Sequence, residues 1–169
     1  DGSTDGSSER CDEYARKDER VVVIHQENGG ICNARNAALK IAQGKYIAFS
    51  DHDDEYLPGL LEDNYNMCIE YQLDFVKFCK STVELLDNKV IKRENNYVER
   101  RVYERKDVIA NIVRLTEHRL GSCVWDTMFH HKFLKEHQIL FDPYFKMGGE
   151  DYAFIYQCMQ YVTRFGTND

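Results

Sequence analysis

Tyr46-Ile47-Ala48-Phe49-Ser50-Asp51-His52-Asp53-Asp54 sets an apolar tetrapeptide directly against a cluster of three carboxylates. The apolar half reads as a strand and the acidic half as the loop leaving its carboxyl end. Ligands of open α/β sheets bind outside the carboxyl ends of strands, so this junction is the first place to look for chemistry. Upstream, Val21-Val22-Val23-Ile24 is a continuous β-branched run that predicts a buried strand of a parallel sheet. Asn28-Gly29-Gly30 breaks the chain, and from Ile31 to Gln43 the apolar positions recur at helical spacing, with Gly44 placed to end the helix. Asp1 to Ser8 forms a polar loop, and Glu9 to Lys17 has helical composition with a serine ahead of it to cap the first turn.

Downstream, Pro58 is placed to open a long helix, where its missing N–H costs little. Phe75 to Leu86 reads as one or two strands closed by an Asp87-Asn88 turn, and Asn95 to Tyr103 matches no clear element. Lys106 to Thr116 and Met128 to His137 read as amphipathic helices, and Glu150 to Tyr161 as a more apolar one. Alternating helices and strands in the first half predict an α/β class, with a mostly parallel sheet flanked by helices. No repeat or linker divides residues 1–169, which read as a single domain.

Composition narrows the function. A net charge of -7 excludes a general nucleic-acid binder, which needs a basic face. It permits a nucleotide substrate, because a divalent cation carries phosphates to an acidic site. The six cysteines include no CxxC pair and read as reduced thiols. No apolar run approaches the roughly 18 residues of a membrane span. Asp1 already stands inside a turn-forming cluster, so further sequence is expected before it.

Asp51, Asp53 and Asp54 repel one another unless a cation or hydrogen-bond donors neutralise them. Alternate residues leaving a strand end point to the same side, so Asp51 and Asp53 could share a hard cation, Mg²⁺ or Mn²⁺. The plain alternative is a solvated acidic turn. Asp1, Ser3, Asp5, Gly6 and Asp12 match much of a calcium loop. The final Asp in place of Glu, Ser8 at an apolar position and the lack of an entering helix favour an Asx turn instead. Glu150-Asp151, after Gly148-Gly149, reads either as acidic complement to a helix dipole or as a general base on a helix end. His130 and His131 lack metal-ligand spacing, and Trp125 reads as core or as a platform for a sugar ring. Tyr152, Phe154, Tyr156 and Tyr161 read as a packed helix face, and no GxGxxG or Walker loop occurs.

In order, Asp1-Gly2-Ser3-Thr4-Asp5, then Asn28-Gly29-Gly30 with Ala34-Arg35-Asn36, then the Tyr46–Asp54 strand and acidic loop, then Trp125 with Phe141-Asp142 and Gly149-Glu150-Asp151, resemble the signature segments of the family 2 glycosyltransferases. That resemblance implies a GT-A fold whose first strand–helix unit precedes Asp1. It implies a metal-dependent, inverting transfer of a sugar from a nucleotide-diphosphate sugar to an acceptor hydroxyl. Asp1 would contact the base and Arg35 would help hold the nucleotide. Asp51 would bind the ribose or assist at the metal, Asp53 would ligate Mn²⁺ or Mg²⁺, and Asp54 would stand beside it. Asp151 would be the catalytic base, with Trp125 and Glu150 completing the substrate-binding set. Residues 1–57 would be the nucleotide-binding part and 58–169 the acceptor side. The expected partners are the donor and a saccharide or lipid-linked saccharide of polysaccharide biosynthesis at the cell envelope. The site would face the cytoplasm, with peripheral contact to the inner face of the cell membrane through regions outside this chain. A sugar nucleotidyltransferase and a non-catalytic calcium-binding module are the rival readings.

Overall fold

A computed structural model describes residues 1–87, 89–110, 123–146 and 148–169. They form two compact units, Asp1–Gln43 with Leu140–Glu150, and Gly44–Ile139 with Asp151–Asp169.

The second unit is built on a row of ring and branched side chains. Among the described residues its main sheet has five strands, β1 (Tyr46–Ala48), β2 (Phe75–Phe78), β5 (Arg101–Glu104), β6 (Thr127–His130) and β7 (Arg164–Asn168), in the order β1-β6-β2-β7-β5. Register sets Ile47 opposite Phe129, Phe129 opposite Phe75, Phe75 opposite Phe165 and Phe165 opposite Tyr103. One face therefore carries a continuous row across all five strands. Phe75 stacks on Phe165 with centroids 5.0 Å apart, and Phe165 on Tyr103 at 4.6 Å. Helix α4 (His131–Glu136) adds Phe133 to this face, and helix α5 (Glu150–Tyr161) adds Phe154, 5.4 Å from Phe129. Successive strand residues point to opposite faces, so Val76 and Met128 look the other way. There they meet Met67 and Cys68 of helix α3 (Leu60–Tyr71) in a second buried cluster. Helices thus cover both faces.

The expected sheet was mostly parallel. Among the described residues β2 and β7 pair in parallel, whereas β1–β6, β2–β6 and β5–β7 are antiparallel. The sheet is mixed because β6 enters between β1 and β2 and runs against both. Asp74 sets the parallel pair: its carboxylate accepts from the Thr163 and Arg164 N–H groups at 2.6 and 3.1 Å, fixing where β7 starts. The helix expected over Met128–His137 is a strand followed by a short helix. Its first residues find ladder partners on both sides, which outweighs the helical spacing of their apolar positions.

Residues 80–96 form a separate two-stranded ribbon, β3 (Lys80–Leu86) and β4 (Lys89–Asn96), with Leu85, Leu86, Val90 and Ile91 exposed. The strands expected over Phe75–Leu86 are present as β2 and β3, and Asn88 of the expected turn lies outside the described residues. Asn95–Tyr103, unassigned from sequence, supplies the end of β4 and most of β5. Residues 105–110 are helical, and the rest of the expected Lys106–Thr116 helix lies outside the described residues. Pro58 sits in a turn, and α3 begins after Gly59, whose positive φ of 87° favours glycine.

In the first unit, helix α1 (Ser7–Lys17) is entered through Gly6, and no serine side chain caps it. Asp5 instead accepts from the Ser7 N–H at 3.1 Å, an Asx-type contact. Helix α2 (Gly30–Ile41) ends at Ala42, ahead of the Gly44 expected to stop it. Val21–Ile24 forms no strand, and Val22 is 70% exposed. The first unit offers no strand among its described residues to complete a ladder, and a β-branched run without a partner gains nothing from extension.

Phe75 is fully buried at the centre of the aromatic row. Phe75→Ala is expected to destabilise the chain by about 3–5 kcal/mol, read as a lower urea midpoint at unchanged slope.

Candidate functional site

In the first unit the expected nucleotide-side residues Asp1 and Arg35 have separate sets of partners. The Asp1 carboxylate accepts from the Gly29 and Gly30 N–H groups at 3.0 and 3.1 Å and from Gln26 Nε2 at 2.7 Å. It therefore satisfies donors at the start of α2, which the helix itself leaves unpaired. Arg35 reaches Glu150 at 3.4 Å and lies 5.1 Å from the centre of the Phe141 ring. Asn36 exchanges two hydrogen bonds with the Phe141 backbone, at 2.8 and 2.9 Å. The Ala34-Arg35-Asn36 segment thus clamps the Phe141 segment and the first residue of α5. Gly148 and Gly149, with φ of 111° and 90°, make the turn into that helix in a region L side chains rarely adopt. Asp12 pairs with His25 at 2.8 Å, so Asp1, Asp5 and Asp12 go to three separate partners and make no calcium cage.

In the second unit β1 delivers the acidic loop. Phe49, just past the strand, packs on Phe129 and Phe154, and the Tyr56 hydroxyl donates to the Phe49 carbonyl. The Asp54 N–H closes a turn onto the Asp51 carbonyl at 3.2 Å. Asp51 is partly buried, whereas Asp53 and Asp54 are exposed. Partial burial, then Asp53 and Asp51, raise the Asp54 carboxyl above the ordinary range, against the pull of Lys80 and His52. Burial, with Asp54, Asp51 and Asp126 adding to it, pushes the Tyr56 phenol up to about 12. The donor set is hard oxygen, suited to Mg²⁺ or Mn²⁺. It is not a finished cage: among the described residues no group of three His, Cys, Asp or Glu side chains converges closely enough to hold a metal.

Beside the loop stands a charge network that the sequence reading missed. Lys77, with a side chain 2% exposed, donates to Asp126 Oδ1 at 2.5 Å, the Cys123 carbonyl at 2.9 Å and Thr127 Oγ1 at 2.9 Å. Burial pushes this ammonium below its ordinary value, against the pull of Asp126. Lys80 donates to Asp126 Oδ2 at 2.8 Å and lies 4.4 Å from the centre of the Trp125 ring. Burial works against the Lys80 charge, yet Asp126 and Cys123 together hold its pKa above the usual value. One residue before Trp125, the Val124 N–H donates to Asp151 Oδ2 at 3.2 Å. The unit therefore brings Lys80, Trp125 and Asp151 into one chain of contacts, and the Tyr56 hydroxyl reaches both the Phe49 carbonyl, just ahead of the acidic loop, and the Trp125 carbonyl at 3.5 Å. Asp1, Arg35 and Glu150 belong to the other unit, which Glu150 leaves as the immediate chain neighbour of Asp151.

Other expectations settle simply. His131 binds the Gly44 carbonyl at 2.8 Å, and burial lowers His130. Of the aromatic residues on α5, Phe154 packs inward, whereas Tyr152, Tyr156 and Tyr161 are exposed, because the inward face is completed by Ile155, Cys158 and Met159. All six cysteines are free thiols. Among the described residues no helix is long and apolar enough to cross a membrane.

Residues 1–111 match the family described as glycosyl transferase family 2. The chain belongs to that family. Across 144 residues, 84% of this chain and 41% of the relative, it is 31% identical to the uncharacterized glycosyltransferase EpsJ of Bacillus subtilis. It is 41% identical over 76 residues to the putative teichuronic acid biosynthesis glycosyltransferase TuaG of the same organism, covering 44% of this chain and 30% of TuaG. Crystal structures of S. aureus TarS 1-349 in complex with UDP-GlcNAc and with UDP share the fold at TM-scores of 0.71 and 0.70 and 20% identity, over 98% of this chain and 44–45% of theirs. The GT-A α/β class expected from sequence is thereby borne out. The chain spans less than half the length of these relatives.

The missed signal in this glycosyltransferase-family chain was Lys77 in Phe75-Val76-Lys77-Phe78, a cation inside an otherwise apolar strand. Such a lysine demands a buried anion, and Asp126 is it. Asp126→Ala leaves Lys77 uncompensated, and a loss of about 3–5 kcal/mol is expected in denaturant unfolding. Asp53→Asn, removing one neighbouring charge, should move the Asp54 titration back toward the ordinary carboxylate range in a ¹³C NMR pH series. The sign is fixed by the raised pKa. The folded chain holds the Asp54 proton more tightly than the unfolded one, so its ionisation works against stability as pH climbs through that range.

Proposed function

We propose that this chain is the catalytic part of a metal-dependent, inverting glycosyltransferase. It moves a sugar from a nucleotide-diphosphate sugar to a hydroxyl of a surface glycan or lipid-linked glycan. The observation that carries this reading is the pairing, within one unit, of an acidic strand-end loop with a carboxylate at the start of a helix: Tyr56 bonds the Phe49 and Trp125 carbonyls, and the Val124 N–H meets Asp151. Family membership supports the reaction class. The TarS complexes with UDP and UDP-GlcNAc support a nucleotide-sugar donor, and the similarity to TuaG supports a surface-glycan acceptor.

Asp53 and Asp51 would hold Mn²⁺ or Mg²⁺, with Asp54 alongside. When bound, the ion supplies Lewis-acid neutralisation of the leaving diphosphate. Asp151 takes the proton of the acceptor hydroxyl as that oxygen bonds to the anomeric carbon. The bond from that carbon to the diphosphate oxygen breaks on the opposite side, so configuration inverts. Trp125 offers a flat apolar face on which an acceptor or donor sugar ring can stack. Arg35 pairs with Glu150, one residue before the base. Asp1, bonded to Gly29 and Gly30, shapes the nucleotide side through the start of α2 and presents its remaining acceptor capacity to the base.

Calorimetric titration of UDP and other nucleoside diphosphates into the protein carrying this chain, with and without Mn²⁺, tests the donor site. Metal-dependent binding of one nucleotide, abolished by Asp53→Ala, is expected. Asp151→Asn should keep that binding and lower turnover by about 10²–10⁴-fold. Calcium binding indifferent to every nucleotide would overturn the enzyme reading in favour of a binding module. Pyrophosphorolysis of the donor would assign a nucleotidyltransferase.

A further inference from the structure

The segment Cys123–Asp126 contributes in three ways at once. Its Cys123 carbonyl accepts from Lys77, its Val124 N–H meets Asp151, and its Trp125 ring lies beneath Lys80. Asp126, the last residue, is held from both sides by lysines, and its carbonyl accepts from the Phe78 N–H at 3.0 Å. The two lysines have different work. Lys77 directs its three donors to Cys123, Asp126 and Thr127, which saturates an ammonium group, and it lies inside the strand layer. Lys80 stands at the root of β3, with its side chain 15% exposed. It covers the Trp125 ring, with Nζ 4.4 Å from the ring centre.

We propose that Lys80 is the positioning residue of this site. By binding Asp126 and covering Trp125 it fixes the Cys123–Asp126 segment, so that the Val124 N–H holds the Asp151 carboxylate in its working direction. The inference rests on Asp151 being the base. A hydrogen bond of this kind fixes the direction of a carboxylate without touching substrate, and a misplacement of about 1 Å costs on the order of 10²-fold in rate. Lysine fits the role because its ammonium reaches a carboxylate and an indole face together.

The test is Lys80→Met, which keeps the length of the stem and removes the charge. Sugar transfer is expected to lose about 10–10²-fold in kcat with the donor KM within about twofold, the pattern of a displaced base. Trp125, the single tryptophan of the chain, should change its emission in the same variant, because the cation over its ring is gone. Lys80→Arg restores a charged group able to bind carboxylate and stack on the ring, so both readouts should return most of the way. A folded Lys80→Met protein with unchanged kcat and emission overturns the proposal. A loss confined to donor KM does so too, by assigning Lys80 to donor binding. Should the Met variant fail to fold, Lys80→Arg alone decides: a kcat loss above about tenfold with unshifted Trp125 emission overturns the proposal. Asp151→Asn, assayed alongside, separates the two readings. Full turnover in that variant removes the base assignment itself, whereas an inactive Asp151→Asn beside an unaffected Lys80→Met removes only the role of Lys80.

Discussion

A carboxylate and an ammonium group cannot be taken out of water singly, and Asp126 and Lys77 are both almost fully buried. Each requires the other, and Asp126, with two oxygens, also takes Lys80. This triad is where strand β2, the root of β3 and the segment leading into β6 meet. Replacing it by apolar residues of equal volume could give a chain just as stable. What the charges add is a fixed address. The Cys123–Asp126 segment has one placement in which all of its polar partners are met, and among the described buried side chains no polar atom lacks a partner.

The aromatic row supplies the rigid ground for that placement. With Ile47, Phe129, Phe75, Phe165 and Tyr103 side by side, a register slip of one residue in any strand would turn a large apolar side chain away from the core. Helix α5 is fastened to this row by Phe154. Its first turn, which carries Asp151, is thus set by the same packing that sets the end of β1, where the acidic loop begins. Two chemically different elements are aligned because both are anchored on one sheet.

Much of the α/β class and of the acidic strand end was legible in the sequence, because β1 and α5 combine strong periodicity with abrupt polar boundaries. Met128–His137 misled because a strand paired on both sides is apolar on both faces, which local spacing does not separate from a helix. Val21–Ile24 misled in the opposite sense: β-branched composition expresses a capacity to pair, and pairing depends on a partner. At the site, carboxylates in a row are visible in one dimension. The triad of Lys77, Lys80 and Asp126 joins residues more than forty positions apart, and only the lysine in an apolar strand hinted at it. Arg35 and Asn36 were legible as a motif but not in their work, since their partners Glu150 and Phe141 come from more than a hundred residues on.

The ribbon of β3 and β4 begins at Lys80 and ends some 20 Å along the strand, at about 3.3 Å per residue, in Leu85, Leu86, Val90 and Ile91. A sheet two strands wide has no interior, so both of its rims carry backbone groups open to another chain. Greasy side chains and open rims coincide at its tip. The apolar tip therefore lies at one end of the ribbon, and Lys80 with its partners Asp126 and Trp125 at the other. Apolar side chains and the lysine over Trp125 share one strand but occupy its opposite ends, so polar substitutions at Leu85 or Leu86 fall outside the contacts of Lys80.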